Sequence, residues 1–86
     1  MELKDVFIKN LKDYRKKEKL SQMQLAEKCD SSTSYIGEIE IGKKFPSINM
    51  IQKIATALRI KPFQLFMENE DYDFLNNQNK EKKSIL

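Results

Sequence analysis

Apolar residues recur at helical spacing along most of this chain. In residues 3–18 they fall on one face at three- and four-residue intervals, at Leu3, Phe7, Leu11 and Tyr14. Positions three and four apart lie on the same side of an α-helix, so this spacing is typical of an amphipathic helix. The pattern predicts a first helix that turns this face toward the protein core.

Three shorter apolar stripes follow, and each is introduced by a serine: Ser21, Ser32 and Ser47. Serine is a preferred N-cap because its hydroxyl accepts a hydrogen bond from a free amide of the first helical turn. The stripes consist of aliphatic residues and one cysteine, namely Leu25, Ala26 and Cys29, then Ile36 and Ile39, then Ile51, Ile54, Ala55 and Leu58. We therefore expect three further helices.

Glycine and proline mark two further boundaries. Gly42 is placed to end the third helix, and Pro62 suits the first turn of a fifth, where its missing N–H does no harm. The expected fold class is all-α, a compact five-helix bundle formed by residues 1–68. Residues 69–86 are expected to be a polar C-terminal tail, partly disordered or carrying one short extra helix.

Composition excludes several classes of protein. The chain has 86 residues, enough for one domain with a small core, and only two glycines and two prolines. A single cysteine and no histidine rule out an intramolecular disulfide and argue against a metal site, so Cys29 is expected to be a small buried hydrophobe. No apolar run reaches the length of a membrane span, and acidic residues interrupt the N-terminus where a signal peptide would be basic. A cytoplasmic protein without cofactors or metals fits best.

The second and third helices are expected to meet at a tight turn. Asp30 tolerates a left-handed backbone better than most residues, and Ala26 leaves room for close helix contact. Such a pair fits a helix-turn-helix. LSQxxLAEK at residues 20–28, SYIxEIExGKK at 34–44 and Pro-Ser at 46–47 together resemble the lambda-repressor-like, XRE-type family of DNA-binding domains.

The resemblance implies that the third helix is a recognition helix for double-stranded DNA, with its N-terminal end in the major groove. Ile36 and Ile39 are expected to face inward, which turns four other residues outward toward the bases: Thr33, Ser34, Gly37 and Glu38. Hydroxyls can donate or accept, and a carboxylate can accept from a cytosine amine. This helix contains no arginine to contact guanine, so readout should depend partly on DNA shape.

Phosphate contacts are expected beside this helix, at Gln22, Tyr35, Lys43 and Lys44. Gln22 begins the second helix, where its amide and the free N–H groups could meet a phosphate; the alternative is a purely structural role. Tyr35 fits the core edge as well as a phosphate contact. Lys43 and Lys44 could instead belong to a simple solvated loop.

The charge distribution supports this arrangement better than the net charge of +3 does. Residues 1–28 carry eight bases and five acids, and residues 43–61 carry five bases and no acid. Residues 29–42 carry three acids and no base. Positive charge therefore flanks the expected recognition helix and is absent from it, which fits a phosphate-binding surface on either side of that helix; the alternative is a generic solvated surface.

One ion pair is expected from the resemblance. In the family an arginine at the position of Arg15 typically pairs with the glutamate that Glu40 matches, which ties the first helix to the end of the third. The planar guanidinium can meet a carboxylate through two hydrogen bonds. An exposed, unpaired Arg15 is the alternative.

The C-terminal region offers more apolar residues than a small core needs. Family members often form dimers around the fifth helix, so Phe63, Met67, Tyr72 and Phe74 are candidates for a homodimer interface, unless the apolar residues of the fifth helix all pack internally. The rival function is a protein-interaction module that uses this helix and the tail to bind a partner protein, for example as an antitoxin does. No catalytic constellation is present in the sequence, so we do not expect an enzyme.

Overall fold

The computed structural model describes residues 2–68, and all regular structure within that range is helical. Four α-helices and one 3-10 helix follow one another: α1 Leu3–Lys17, α2 Gln22–Lys28, α3 Thr33–Glu40, α4 Ile48–Leu58 and the 3-10 helix Pro62–Phe66. The all-α prediction is confirmed. No helix in this part of the chain is long and apolar enough to cross a bilayer.

Serine caps fix where three of the helices begin. The hydroxyls of Ser21, Ser32 and Ser47 each accept a hydrogen bond from the backbone N–H three residues ahead, at 3.0, 3.1 and 3.1 Å. At Ser21 the side chain of Gln24 also accepts from the serine N–H at 2.8 Å, which completes a capping box. The cap positions predicted from the sequence are therefore those that the chain uses.

Left-handed residues fix where the helices turn away. Gly42 follows α3 with φ 81°, Asp30 follows α2 with φ 54°, and Arg59 follows α4 with φ 61°. Glycine adopts this conformation without strain, and aspartate tolerates it better than most residues do. These turns direct α3 and α4 back against the same core.

The core lies where the four α-helices and the 3-10 helix meet. Its fully buried side chains come from every element: Phe7, Leu11, Leu25, Cys29, Ile36, Ile39, Ile54, Ala55, Leu58 and Leu65. The Phe7 ring is central, with ring centroids of Phe45 and Phe66 at 5.0 and 5.3 Å. Burial of these apolar surfaces is the main term that stabilises so small a domain.

The expected fifth α-helix is wrong in detail, because the segment is a five-residue 3-10 helix. Asn10 of α1 explains how it is held: its buried amide donates to the backbone carbonyls of Gln64, Leu65 and Met67, at 3.3, 2.9 and 2.7 Å. These carbonyls are thereby satisfied without continuing a helix, and Met67 is already extended. Residues 2–68 thus form a bundle of four α-helices closed by a short 3-10 helix.

Candidate nucleic-acid interface

Helices α2 and α3 pack closely around a four-residue turn. The Ser31 N–H donates to the Ala26 carbonyl at 2.9 Å, and the Cys29 N–H donates to the Leu25 carbonyl at 3.0 Å, so the turn is closed by backbone bonds. Ala26 is 1% exposed, which allows the helices to approach. This geometry is a helix-turn-helix.

Helix α3 has one buried side and one open side. Ile36 and Ile39 are fully buried, whereas Thr33 and Ser34 at its N-terminal end are exposed. Gly37 is half-buried, and a Cβ placed on it would lie 3.7 Å from Oε1 of Gln22, which is ordinary contact distance. The open side therefore presents two hydroxyls and a glycine, which leaves room for a close approach by another molecule.

Arg15 and Glu40 lie together beneath this surface. Arg15 Nε donates to Glu40 Oε2 at 2.7 Å, and its second nitrogen, Nη2, donates to Oε1 at 3.0 Å. Arg15 Nη1 also donates to the Leu20 carbonyl at 2.9 Å. The side chains are 14% and 3% exposed, so this bidentate pair joins α1, the α1–α2 connection and α3 in a nearly buried position.

Gln22 lies at the edge of the same cluster. Its amide nitrogen donates to Glu40 Oε1 at 3.0 Å, so part of its hydrogen-bonding capacity is already used within the protein. The residue is half-buried at the first position of α2, where backbone N–H groups have no helical acceptor. Gln22 thus links the buried ion pair to the N-terminus of α2.

Lys43 and Lys44 flank the other end of α3, and both face Glu38. The Lys43 ammonium lies 3.7 Å from Glu38 Oε2, and that of Lys44 lies 3.5 Å from Oε1. Lys44 also lies 5.9 Å from the centroid of the half-buried Tyr35 ring. The carboxylate expected to face bases is therefore engaged by the lysines expected to contact phosphates.

Phe45 anchors the loop of residues 43–46, called the lysine loop below. This role was not predicted from the sequence. Its ring lies 5.0 Å from that of Phe7, although it is 45% exposed, and the neighbouring Pro46 is buried. An aromatic residue between two lysines and a proline was the available signal. The contact holds the loop against α1 and so positions the backbone from which both lysine side chains extend.

The candidate dimer residues are only partly described. Phe63 is 56% exposed on the 3-10 helix, and Met67 is half-buried with its carbonyl bonded to Asn10. Tyr72 and Phe74 lie outside the described residues.

A second basic surface includes the C-terminal end of α2. Lys28, Lys53 and Arg59 line a cleft of about 520 Å³ beside α4, together with Glu18. Cys29 is buried nearby: burial raises the pKa of its thiol, and the charge of Lys53 partly offsets this. Within residues 2–68 there is no cluster of side chains able to hold a metal ion.

Comparison with known proteins identifies relatives with a helix-turn-helix or a regulatory name. A family model described as helix-turn-helix matches residues 11–65. Over 51 residues the chain is 43% identical to the immunity repressor protein of Bacillus phage phi105, and this alignment covers 59% of this chain and 35% of that protein. Over 49 residues it is 41% identical to control protein C.BamHI of Bacillus amyloliquefaciens, which covers 57% of this chain and 60% of that protein. The chain thus spans less than two thirds of either curated relative.

A solved structure gives the same answer. The restriction-modification controller protein C.AhdI from Aeromonas hydrophila superposes with a TM-score of 0.69 at 39% identity, over 71% of this chain and 92% of that one. The family match covers more than half of the chain and includes α2, α3 and the lysine loop. The chain therefore belongs to the helix-turn-helix family, of the lambda-repressor-like, XRE type.

Proposed function

We propose that this chain regulates transcription as a homodimer that binds an inverted-repeat operator, with the exposed end of α3 in the major groove. The observation that carries the proposal is the two-sided character of α3. Its apolar side chains are fully buried, while Thr33 and Ser34 point to solvent at the end that such helices insert.

Base contacts would come from Thr33, Ser34, Gly37 and Glu38. The threonine and serine hydroxyls can donate to or accept from base edges, and the Thr33 methyl can contact a thymine methyl. Gly37 has no side chain to hold the DNA away. A helix with so few strong base contacts would obtain part of its specificity from the shape and deformability of the operator.

Phosphate contacts would flank these residues. Lys43 and Lys44 have side chains that are 69% and 53% exposed, so both can reach a backbone phosphate. Gln22 donates one amide hydrogen to Glu40, its side-chain carbonyl oxygen accepts no hydrogen bond from any residue of 2–68, and it stands at the N-terminus of α2. Tyr35 would contribute its hydroxyl from the first turn of α3. Together these groups would fix the orientation of α3 on the duplex.

Phe63 supports the dimer part of the proposal, because more than half of this large apolar side chain is exposed. We propose that it contacts a second copy of the chain, with Met67, Tyr72 and Phe74 as further candidates. A two-fold dimer of this type binds half-sites about one helical turn apart. The operator would then be an inverted repeat with that spacing.

Residues 1–68 would form the DNA-binding domain, and residues 69–86 would be available to a partner protein. The protein would act in the cytoplasm, where we expect its DNA target to be. It would work without a catalytic site or cofactor, because binding alone is enough to regulate transcription.

Selection of bound sequences from a random duplex pool tests the proposal. We expect an enriched inverted repeat, bound at a ratio of two chains per duplex and weakened steeply by salt. No enrichment, together with no retention of a random-sequence duplex at low salt, would contradict DNA binding and favour a protein-interaction module. Enrichment of single half-sites bound by one chain would contradict the dimer alone.

A further inference from the structure

We propose that Glu38 sets the specificity of DNA binding by holding Lys43 and Lys44 away from the phosphates of non-operator DNA. The inference rests on the proposed DNA-binding surface and adds a function to one of its residues. Glu38 would act as an internal competitor of phosphate, and operator DNA would be the ligand that relieves the competition.

The geometry brings one carboxylate to two lysines. Each oxygen of Glu38 faces a different ammonium group, at 3.7 Å for Lys43 and 3.5 Å for Lys44. The backbone reinforces the arrangement, because the N–H groups of both lysines donate to the Glu38 carbonyl at 2.9 and 3.2 Å. The backbone of both lysines is therefore held next to Glu38 by hydrogen bonds at the C-terminus of α3, and this places their side chains beside its carboxylate.

These contacts are suited to exchange. The lysine side chains are 69% and 53% exposed, and both distances are longer than a direct hydrogen bond. Exposed ion pairs of this kind contribute little to stability. A DNA phosphate can therefore replace the carboxylate without disturbing the fold, and Lys44 keeps a second neighbour in the Tyr35 ring at 5.9 Å.

The exchange has different consequences on different DNA. When the lysines move to phosphates, the Glu38 carboxylate loses its counter-ions and lies close to a polyanion. On an arbitrary sequence it gains nothing in return. On a site that presents a cytosine amine in the major groove, the carboxylate accepts a hydrogen bond from that base. Glu38 would thus weaken binding everywhere except where the correct base compensates it.

The test compares Glu38→Gln with the wild-type chain on two probes, a random-sequence duplex and the sequence that the wild-type chain selects. The amide keeps the shape of the side chain and removes its charge. We expect about tenfold tighter binding to the random duplex and a log–log salt slope steeper by one to two units, since two lysines become free for phosphates. On the selected sequence we expect no gain, so the ratio of the two affinities falls about tenfold.

Asp13→Asn is the matched control. It also removes one negative charge and also breaks an exposed ion pair, that of Asp13 with Lys9 at 2.8 Å. We expect it to change affinity for the random duplex by less than about twofold, because screening limits the effect of a remote surface charge. A second variant, Glu38→Ala, should reproduce the tighter binding to the random duplex.

Equal behaviour of Glu38→Gln and Asp13→Asn would overturn the inference while leaving DNA binding intact. Tighter binding of Glu38→Gln to both probes by the same factor would also overturn it, since Glu38 would then be a uniform repulsive charge. If the wild-type chain binds neither probe at low salt, the proposed function fails and the inference fails with it.

Discussion

Helix α3 carries two glutamates two residues apart, and their surroundings differ sharply. Glu40 is 3% exposed and accepts two hydrogen bonds from Arg15 and one from Gln22, at 2.7 to 3.0 Å. Glu38 is 26% exposed, and its carboxylate oxygens lie 3.5 and 3.7 Å from the ammonium groups of two lysines with flexible side chains. Both are acids near basic side chains, yet one is fixed in the fold and the other lies at its surface.

The difference shows how residue type and burial together decide what an ion pair does. Arginine presents a rigid fork, so it can satisfy a nearly buried carboxylate completely and position α3 against α1. Lysine presents a single charge on a flexible stem, which can leave one anion for another. The first pair stabilises the helix that we propose reads DNA, and the second pair remains available to DNA.

The largest effect should follow from breaking the buried pair. Arg15→Ala leaves the Glu40 carboxylate nearly buried with Gln22 as its remaining partner, so we expect the free energy of unfolding to fall by about 3 kcal/mol. For a domain of this size, that corresponds to a melting temperature roughly 15 °C lower.

Lys9→Ala is the control for that experiment, because it breaks the exposed pair with Asp13 and should change stability by less than about 1 kcal/mol. Thermal unfolding followed by circular dichroism measures both. If the two variants melt at the same temperature, the buried pair has no special role and the contrast between the two glutamates disappears.

The next effect concerns the surface pair. Lys43→Ala with Lys44→Ala should weaken binding to the selected operator and reduce the log–log salt slope on that duplex by about two units, one for each lost phosphate contact. Lys9→Ala with Lys61→Ala removes the same charge from exposed positions outside the helix-turn-helix and should leave the slope nearly unchanged. Titrations at several salt concentrations distinguish them; equal slopes for the two double variants would remove the lysine loop from the DNA surface.

Gly37 directly precedes Glu38, and its substitution should affect stability and DNA binding in opposite directions. It is a helical glycine whose substitution by alanine meets only ordinary contact with Gln22, so Gly37→Ala should stabilise the chain by about 0.5–1 kcal/mol. The Gly37→Ala variant should nevertheless bind the selected operator more weakly, because the added methyl group occupies space that we assign to DNA. Gly42→Ala should destabilise instead, since φ there is 81°. A Gly37→Ala variant that is more stable and binds as tightly as wild type would contradict the close approach.

The smallest effect is a pH dependence from Cys29. Burial raises the pKa of this thiol above its ordinary value of 9.0, so above about pH 9 the unfolded chain loses a proton that the folded chain keeps. Stability should therefore fall as pH rises through this range. Urea midpoints at pH 8 and pH 10 measure it, and the wild-type chain should lose more stability than Cys29→Ala. Equal losses would mean that the thiol does not contribute.

The sequence was sufficient for the α-helices because their signals are local. Serine caps, apolar spacing and Gly42 lie within a few residues of the boundaries that they determine, and α2, α3 and α4 begin directly after the predicted caps. The fifth helix was wrong because its form depends on Asn10, which is more than fifty residues away in the chain. Helical spacing cannot reveal such a contact.

The sequence predicted the inward face of α3 better than its outward face. Ile36 and Ile39 are buried and Thr33 and Ser34 are exposed, as predicted, whereas Gly37 and Glu38 are half-buried. The pairing of Glu38 with Lys43 and Lys44 was not foreseen, because it depends on how the chain leaves α3 after Gly42. Ion pairs across a helix end are set by backbone geometry that residue types alone do not specify.

The proposed DNA surface is tested most directly by amide chemical shifts of the isotope-labelled chain during titration with the duplex that it selects. We expect the largest changes at Gln22, residues 33–38 and residues 43–44, with little change at Lys53 and Arg59. Largest changes at Lys53 and Arg59, with α3 unaffected, would show that the chain meets DNA through the cleft beside α4 and would contradict the assignment of α3 as the reading helix.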